Sequence, residues 1–168
     1  MTDAPVAIRP MRPADLEAMA AILAEPSVAR WWGPYDRARA ARELLGEAET
    51  VVVEHAGAPC GLVMIGEEDD PEFRHATLDI AIASAHRGRG VGRAALGQVV
   101  AMLAARGHHR ITIDPARENA AAVRCYAAVG FREVGVLRMY QRMGDGRWHD
   151  GLLMELVLPG PGARSAGA

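Results

Sequence analysis

The chain has few of the features that mark secreted, membrane or redox proteins. It contains two cysteines in 168 residues, Cys60 and Cys125, and their spacing matches no disulfide framework, metal motif or redox motif. No apolar run approaches the ~20 residues that a membrane helix needs. The first residues lack the basic and apolar parts of a signal peptide. We therefore expect a cytoplasmic protein with no membrane partner.

An excess of charge of one sign is also missing. The chain has 19 basic and 21 acidic residues and a net charge of −2, so a basic face for nucleic acid is not expected. Half of the residues are hydrophobic, and the length suits one domain with a substantial core. We predict a single domain over residues 1–158. Residues 159–168 are rich in Gly, Pro and Ala and are predicted to form a disordered tail.

Hydrophobic periodicity predicts alternating strands and helices. The predicted strands cover residues 6–9, 50–55, 61–65, 76–83, 110–114, 131–141 and 152–158. The first predicted helix begins at Pro13 and is stopped by Pro26. Further helices are predicted over residues 37–45, 92–106 and 120–129. Residues 31–34 are predicted to form a turn and residues 67–72 an acidic loop. Strands first pair locally and a strand–helix–strand unit follows, so the class is α/β or α+β with a mixed sheet.

The most informative segment joins the strand at 76–83 to the helix at 92–106. It reads Arg87-Gly88-Arg89-Gly90-Val91-Gly92-Arg93. Glycines allow close backbone approach, and the following helix directs its N-terminal amides and positive dipole end at the segment. The segment therefore predicts a cradle for a phosphate or pyrophosphate, with a merely tight turn as the alternative. A Walker motif is excluded because Ala94 follows, and a dinucleotide fingerprint would need glycine at position 93.

A second group of polar residues follows. Asp114 stands at the end of a predicted strand, where ligand crevices open in α/β sheets. Asn119 is a predicted helix N-cap, and Tyr126 comes seven residues later, so both can lie on one helix face. Taken alone, Tyr126 is equally consistent with a packing role.

Together, Arg87-x-x-Gly90-x-Gly92, Asn119, Tyr126 and Gly130-Phe131 resemble the coenzyme-A-binding core of the GNAT N-acetyltransferase superfamily. The resemblance covers about residues 77–131. It implies a mixed, mostly antiparallel sheet of about seven strands and about four helices, splayed at its centre between parallel strands near Ile80 and Thr112. It also implies acetyl-coenzyme A as cosubstrate. The implied coenzyme-binding residues are Ile80, Ile82, Arg87, Gly88, Arg89, Gly90, Val91, Gly92, Arg93 and Asn119.

Three further segments narrow the resemblance. Trp31-Trp32-Gly33, the acidic residues 67–72 and Thr112-Ile113-Asp114-Pro115 are similar to one branch of the aminoglycoside 6′-N-acetyltransferases. Residues 146–152 instead resemble unassigned or protein-directed relatives. The acidic residues would attract a polycationic amine, although a solvated charged loop is the alternative. The implied substrate-binding residues are Trp31, Trp32, Glu68, Asp69, Asp70 and Glu72.

Acetyl transfer to an amine sets the expected roles. The amine must lose a proton, because alkyl amines have a pKa near ~10. Asp114 is the first candidate for the base and Asp79 the second, and either would also hold the ammonium group. A backbone N–H near Ile82 would stabilise the oxyanion. The resemblance implies Tyr126 as the acid that protonates the departing thiolate, in a direct transfer through a ternary complex that needs no metal.

Other functions remain open at this point. The acceptor would alternatively be a protein N-terminus, a lysine or a polyamine. A coenzyme-A-binding module without turnover is a third possibility, although Asp79, Asp114 and Tyr126 would then have no purpose. The chain is predicted to be a monomer or a homodimer, in the second case through an exposed edge at the final strand.

Overall fold

Seven strands and five α-helices form the part of the chain that the computed structural model describes, residues 4–159. Of the tail predicted over residues 159–168, residues 160–168 lie outside the described residues. The strands are β1 (Val6–Pro10), β2 (Glu49–His55), β3 (Ala58–Glu68), β4 (His75–Ile82), β5 (Arg110–Ile113), β6 (Arg132–Arg142) and β7 (Trp148–Val157). The helices are α1 (Leu16–Leu23), α2 (Pro26–Trp32), α3 (Arg37–Arg42), α4 (Val91–Ala105) and α5 (Ala120–Val129).

The strands form one mixed sheet in the order β1-β2-β3-β4-β5-β7-β6. The β4–β5 pair is parallel and the other neighbours are antiparallel. Alternate strand residues pack on opposite faces, which places α4 and α5 on one face and α1, α2 and α3 on the other. In β2, for example, Val51 and Val53 face α4, while Val52 faces α1. The predicted GNAT-like fold class is therefore confirmed.

The sheet opens at its centre, between β4 and β5. These strands pair at only three positions, Ala76–Ile111, Thr77–Thr112 and Leu78–Ile113. Beyond them β4 continues to Ile82, whereas β5 ends at Ile113. Pro115 follows soon afterwards and has no N–H with which to extend the ladder. The gap lies where the resemblance placed it, between Ile80 and the end of β5.

Several predicted boundaries were wrong. α1 ends at Leu23, and Pro26 begins a new helix, because proline suits the first helical turn, so Trp31 and Trp32 close α2 rather than forming a turn. The helix predicted over 37–45 ends at Arg42 and continues as a π-helical turn over residues 43–47. Residues 67 and 68 extend β3, because they pair with the start of β4, so the acidic loop is shorter than predicted.

The final strand does not form an edge. β7 lies between β5 and β6, and β6 is the outer strand. The prediction that the last strand has an exposed edge was wrong, because a hairpin return places β7 against β5, whose side away from β4 needs a hydrogen-bonding partner.

Gly61 on β3 allows β4 to approach closely, which gives a test of the packing beneath the gap. A Cβ at Gly61 would lie 2.5 Å from the Ala81 carbonyl oxygen and 2.6 Å from Ile82 Cδ1. We expect Gly61→Ala to lower the free energy of unfolding by about 1 to 3 kcal/mol, measured by urea denaturation. Gly46→Ala is the control, since no heavy atom lies within 4 Å of its Cβ position. Equal stability of the two variants would contradict this packing.

Candidate active site

The glycine segment builds one end of a cavity. Gly88 and Gly90 have φ angles of 71° and 77°, a left-handed conformation that favours glycine. Gly90 is the residue before α4, so the first amides of α4 are directed at the loop opening. Gly92 passes close to the neighbouring elements, because a Cβ there would lie 3.7 Å from Ile82 and 3.6 Å from Cys125. The loop has the geometry of an anion-binding site.

The cavity fills the gap between β4 and β5 and has a volume of about 1460 Å³. It brings together residues that are far apart in the chain. Of the predicted site residues, the cavity is lined by Trp31, Trp32, Asp79, Ile80, Ile82, Arg87, Gly88, Gly90, Val91, Gly92, Arg93, Asp114, Asn119 and Tyr126. Arg89 lies in the loop but does not line the cavity.

The free edge of β4 presents backbone amides to the gap. The Ala83 amide donates to the Cys60 carbonyl at 2.8 Å, so every second amide of β4 pairs with β3. The amides of Ile80 and Ile82 therefore point the other way, towards the cavity. The Ile82 carbonyl also faces this side, where it accepts a hydrogen bond from Arg87 Nε at 2.9 Å. This edge offers donors for an extended ligand or for a developing negative charge.

Asp79 and Asp114 face each other because of the strand register. Thr77 pairs with Thr112; Asp79 comes two residues later on β4 and Asp114 directly follows the end of β5, so both aspartates line the gap. Solvent reaches Asp79 through the cavity, yet desolvation by the surrounding protein raises its pKa to about 6, and the charge of Asp114 adds to the rise. Desolvation also raises the pKa of Asp114.

A hydrogen bond from the Tyr140 hydroxyl distinguishes the two carboxylates. The Tyr140 hydroxyl donates to Asp114 Oδ2 at 2.8 Å. This contact opposes the rise in the pKa of Asp114, since it stabilises the ionised form. Burial and the Asp114 hydrogen bond raise the pKa of Tyr140 to about 12. Asp114 thus has a hydrogen-bond donor that favours its charge, whereas Asp79 is the carboxylate with the pKa nearer to neutrality.

Tyr126 and Asn119 lie on α5 beside the two aspartates. Tyr126 is buried, and its burial, followed by the nearby Cys125, Asp79 and Asp114, raises its pKa, so the hydroxyl stays protonated. Asn119 caps α5, since its Oδ1 accepts from the Ala122 amide at 3.2 Å. The side-chain NH2 of Asn119 is then available to donate to a ligand.

An aromatic group covers the cavity on the side of α2 and α3. The Trp32 and Tyr35 rings contact edge to face at 6.0 Å, and the Arg39 guanidinium lies 3.9 Å above the Tyr35 ring. Glu43 binds both Arg39, at 2.8 Å, and the Tyr35 hydroxyl. The sequence analysis included Trp32 but missed Tyr35, Arg39, Glu43 and Tyr140. The sequence gives little sign that Tyr35, Arg39 and Glu43 belong to a site, because their spacing is that of an ordinary helix.

The acidic residues predicted to bind substrate lie elsewhere. Glu68, Asp69, Asp70 and Glu72 do not line the cavity; they surround the turn that leads into β4, at the opposite end of that strand from Ile82. The neighbouring Glu67 binds Arg106 at 2.6 Å and also contacts His108. The structure thus separates this acidic turn from Asp79 and Asp114.

None of the helices in residues 4–159 is long and apolar enough to cross a membrane.

Comparisons with known proteins agree with this geometry. Residues 16–131 match the model of the acetyltransferase (GNAT) family. The chain belongs to this family. In sequence it is 35% identical, over 84 residues, to the N-acetyltransferase of Escherichia coli named for an alanine of ribosomal protein bS18. That match covers 49% of this chain and 56% of the enzyme. A match to an uncharacterised Mycobacterium leprae protein covers 21% of that protein. The chain therefore spans about half or less of the length of these curated relatives.

Two solved structures resemble the whole domain. The ribosomal-protein-alanine N-acetyltransferase of Brucella melitensis has a TM-score of 0.76 and 29% identity, over 90% of this chain and 99% of that one. The spermidine N-acetyltransferase of Vibrio cholerae, solved with coenzyme A and spermine, has a TM-score of 0.77 and 25% identity, over 90% and 95% of the two chains. The acceptors in these names are a protein alanine and a polyamine, so the finer resemblance to aminoglycoside enzymes is not supported by them.

The facing aspartates give a prediction for the protein without ligand. In Asp114→Asn we expect the pKa of Asp79 to fall from about 6, because a negative neighbour no longer opposes its ionisation. It should stay above its ordinary value, since the desolvation remains. The measurement is the ¹³C chemical shift of the Asp79 carboxyl as a function of pH. Asp70→Asn, in the acidic turn, is the control, and an unchanged Asp79 titration in Asp114→Asn would show that the carboxylates do not interact.

Proposed function

We propose that this protein is an acetyl-coenzyme-A-dependent N-acetyltransferase that acetylates a primary amine by direct transfer in a ternary complex. One observation carries the proposal: the gap between β4 and β5 holds an anion-binding loop at one end and two facing carboxylates at the other. A binding module without turnover would not need Asp79, Asp114 and Tyr126 in the same cavity.

The loop of residues 87–93 would bind the diphosphate of the coenzyme through its amides and the N-terminus of α4. Arg93 and Arg124 line the cavity here and supply positive charge. The pantetheine arm would run along the free edge of β4. When bound, acetyl-coenzyme A supplies the acetyl group as an activated thioester.

The two aspartates would divide the work on the amine. Asp114, charged and held by Tyr140, binds the ammonium group. Asp79 accepts the proton, since its pKa of about 6 lies closer to neutrality and makes it the better base. This assignment reverses the order in which the sequence analysis ranked them. The Ile82 amide stabilises negative charge on the carbonyl oxygen, and the Tyr126 hydroxyl donates to the departing sulfur.

The acceptor side of the cavity favours an amine with one positive charge. Three carboxylates line the cavity among residues 4–159, and Arg39 neutralises one of them, Glu43. Asp79 and Asp114 are left to receive a single ammonium group. We therefore propose the α-amine of a protein N-terminus as the first acceptor class, which agrees with the names of two of the compared enzymes.

A second acceptor class has an observation of its own. Trp31 and Trp32 line the cavity, and an aromatic wall of this kind binds the apolar face of a sugar ring. An aminoglycoside, with its 6′-amine as the acetylated group, is therefore the second proposal. A polyamine is the third, on the strength of the spermidine enzyme.

Two arginines of the loop give a matched test of coenzyme binding. Arg93 lines the cavity, whereas Arg89 lies in the same loop outside it. We expect Arg93→Ala to weaken coenzyme A binding about tenfold in isothermal titration calorimetry, with a reduced dependence on salt, because it removes a cation near the diphosphate. Arg89→Ala should change the affinity less than about twofold. Equal losses in both variants would contradict the proposed path of the coenzyme.

The release of free coenzyme A thiol tests the function itself. The purified protein is given acetyl-coenzyme A with an alanine-terminated peptide, a kanamycin-type aminoglycoside or spermidine. We expect turnover to be fastest with the peptide and to fall about 10²- to 10⁴-fold in Asp79→Asn. The acid side of the pH profile should decline below about pH 6, as Asp79 takes up a proton.

The outcomes separate the proposals. Turnover with the aminoglycoside alone would replace the first acceptor class by the second, and turnover with spermidine alone would favour the third. Binding of coenzyme A without turnover on any amine would overturn the proposal of an enzyme and favour a binding module. Full activity of Asp79→Asn would remove Asp79 from its role as the base.

A further inference from the structure

We propose that Tyr140 is a positioning residue that orients the Asp114 carboxylate, and that Asp150 and Gly151 of β7 fix it in place through an irregular turn of β6. What the oriented carboxylate does, namely hold the acceptor ammonium, rests on the proposed function. The placement of Tyr140 itself depends only on the geometry of residues 137–151.

The hairpin of β6 and β7 is irregular where Tyr140 occurs. Leu137 pairs with Gly151 and Gln141 pairs with His149, so β6 advances four residues while β7 advances two. Met139, inside this bulge, has a φ of 51°, a left-handed conformation that is uncommon for methionine. Its amide donates to Asp150 Oδ1 at 2.9 Å, which gives the bulge an internal support.

Gly151 provides the surface on which the Tyr140 ring lies. A Cβ at this position would lie 2.7 Å from Tyr140 Cδ1 and 3.2 Å from Cγ, so any larger residue would push the ring away. The absence of a side chain at Gly151 is thus what allows the ring to approach β7 this closely. Asp150 and Gly151 belong to the segment 146–152, which the sequence analysis noted as a departure from the aminoglycoside branch.

The same part of β7 also holds the chain that follows Asp114. The Arg117 amide donates to the Asp150 carbonyl and the Leu152 amide donates to the Pro115 carbonyl, both at 2.9 Å. Residues 150–152 therefore bind the β6 bulge and the end of β5 at once. This fixes the distance between the Tyr140 hydroxyl and Asp114, which meet at 2.8 Å.

The hydrogen bond selects both the direction and the charge of the carboxylate. Asp114 is half-buried, and the titratable groups that interact with its charge are Asp79 from β4, Tyr126 from α5 and Tyr140 from β6. Of these, only Tyr140 is hydrogen-bonded to Asp114 among the described residues. With Oδ2 bound to Tyr140, Oδ1 is left to accept from an incoming ammonium group.

The variant Tyr140→Phe tests the proposal, because it removes the hydroxyl and keeps the ring. We expect the pKa of Asp114, followed by ¹³C NMR in the ligand-free protein, to rise by about one unit, since the donor that favours the carboxylate is lost. In the enzyme assay, the KM for the amine should rise about tenfold while coenzyme A affinity stays unchanged.

A series at position 150 tests the support of the bulge. Asp150→Ala removes the acceptor of the Met139 amide and should reproduce the Tyr140→Phe titration, whereas Asp150→Asn keeps an oxygen at Oδ1 and should restore the native value. Asp145→Ala is the matched control, because Asp145 also binds a backbone amide in this hairpin, but that of Arg147 in the turn and not that of Met139 in the bulge.

The two kinds of readout keep this inference separate from the proposed function. An Asp114 titration that does not change in Tyr140→Phe would overturn the positioning role, whatever the activity of the enzyme. A shifted titration in a protein that acetylates no amine would support the placement of Tyr140 and refute acetyl transfer. A loss of folding in Asp150→Ala, seen by circular dichroism, would leave Tyr140→Phe as the decisive variant.

Discussion

The interruption of the β4–β5 ladder is the feature on which the site depends. Three residue pairs join the two strands, and then the sheet opens without losing the hydrogen bonds on the other side of β4. The unpaired amides of Ile80 and Ile82 would be costly if they were buried without partners. In a cavity of this size they become donors for a ligand instead. The fold thus uses backbone amides that have no partner in the sheet as a binding surface.

The same register creates the electrostatic contrast between Asp79 and Asp114. Because the charge of Asp114 acts on Asp79, the two carboxylates do not ionise independently, and their surroundings decide which one keeps its charge. The hydroxyl of Tyr140 donates to Asp114 and therefore favours the ionised form of that carboxylate. A single hydrogen bond from the outer strand therefore separates two otherwise similar acids into an anchor for the amine and an acceptor of its proton.

The sequence predicted most of the fold and the part of the site that depends on local pattern. The glycine loop and Asn119 as the cap of α5 are local signals, so their neighbourhoods could be predicted. Tyr140 could not, because its direction depends on a left-handed Met139 and on contacts with β7 that no periodicity reveals. The prediction that the acidic residues around Asp70 bind substrate was not supported, for the opposite reason. Their charge was evident from the sequence, but the end of β4 at which they lie was not.

The place of β7 in the sheet has a consequence for folding during synthesis. β5 is only four residues long, and its second neighbour is β7, the last of the described strands to be synthesised. Until residues 148–157 arrive, β5 has an open side, and Pro115 and Arg117 lack the β7 partners that they bind in the finished domain. Such distant pairings slow folding. The β5 side of the cavity is therefore completed only after β7 has been synthesised and paired.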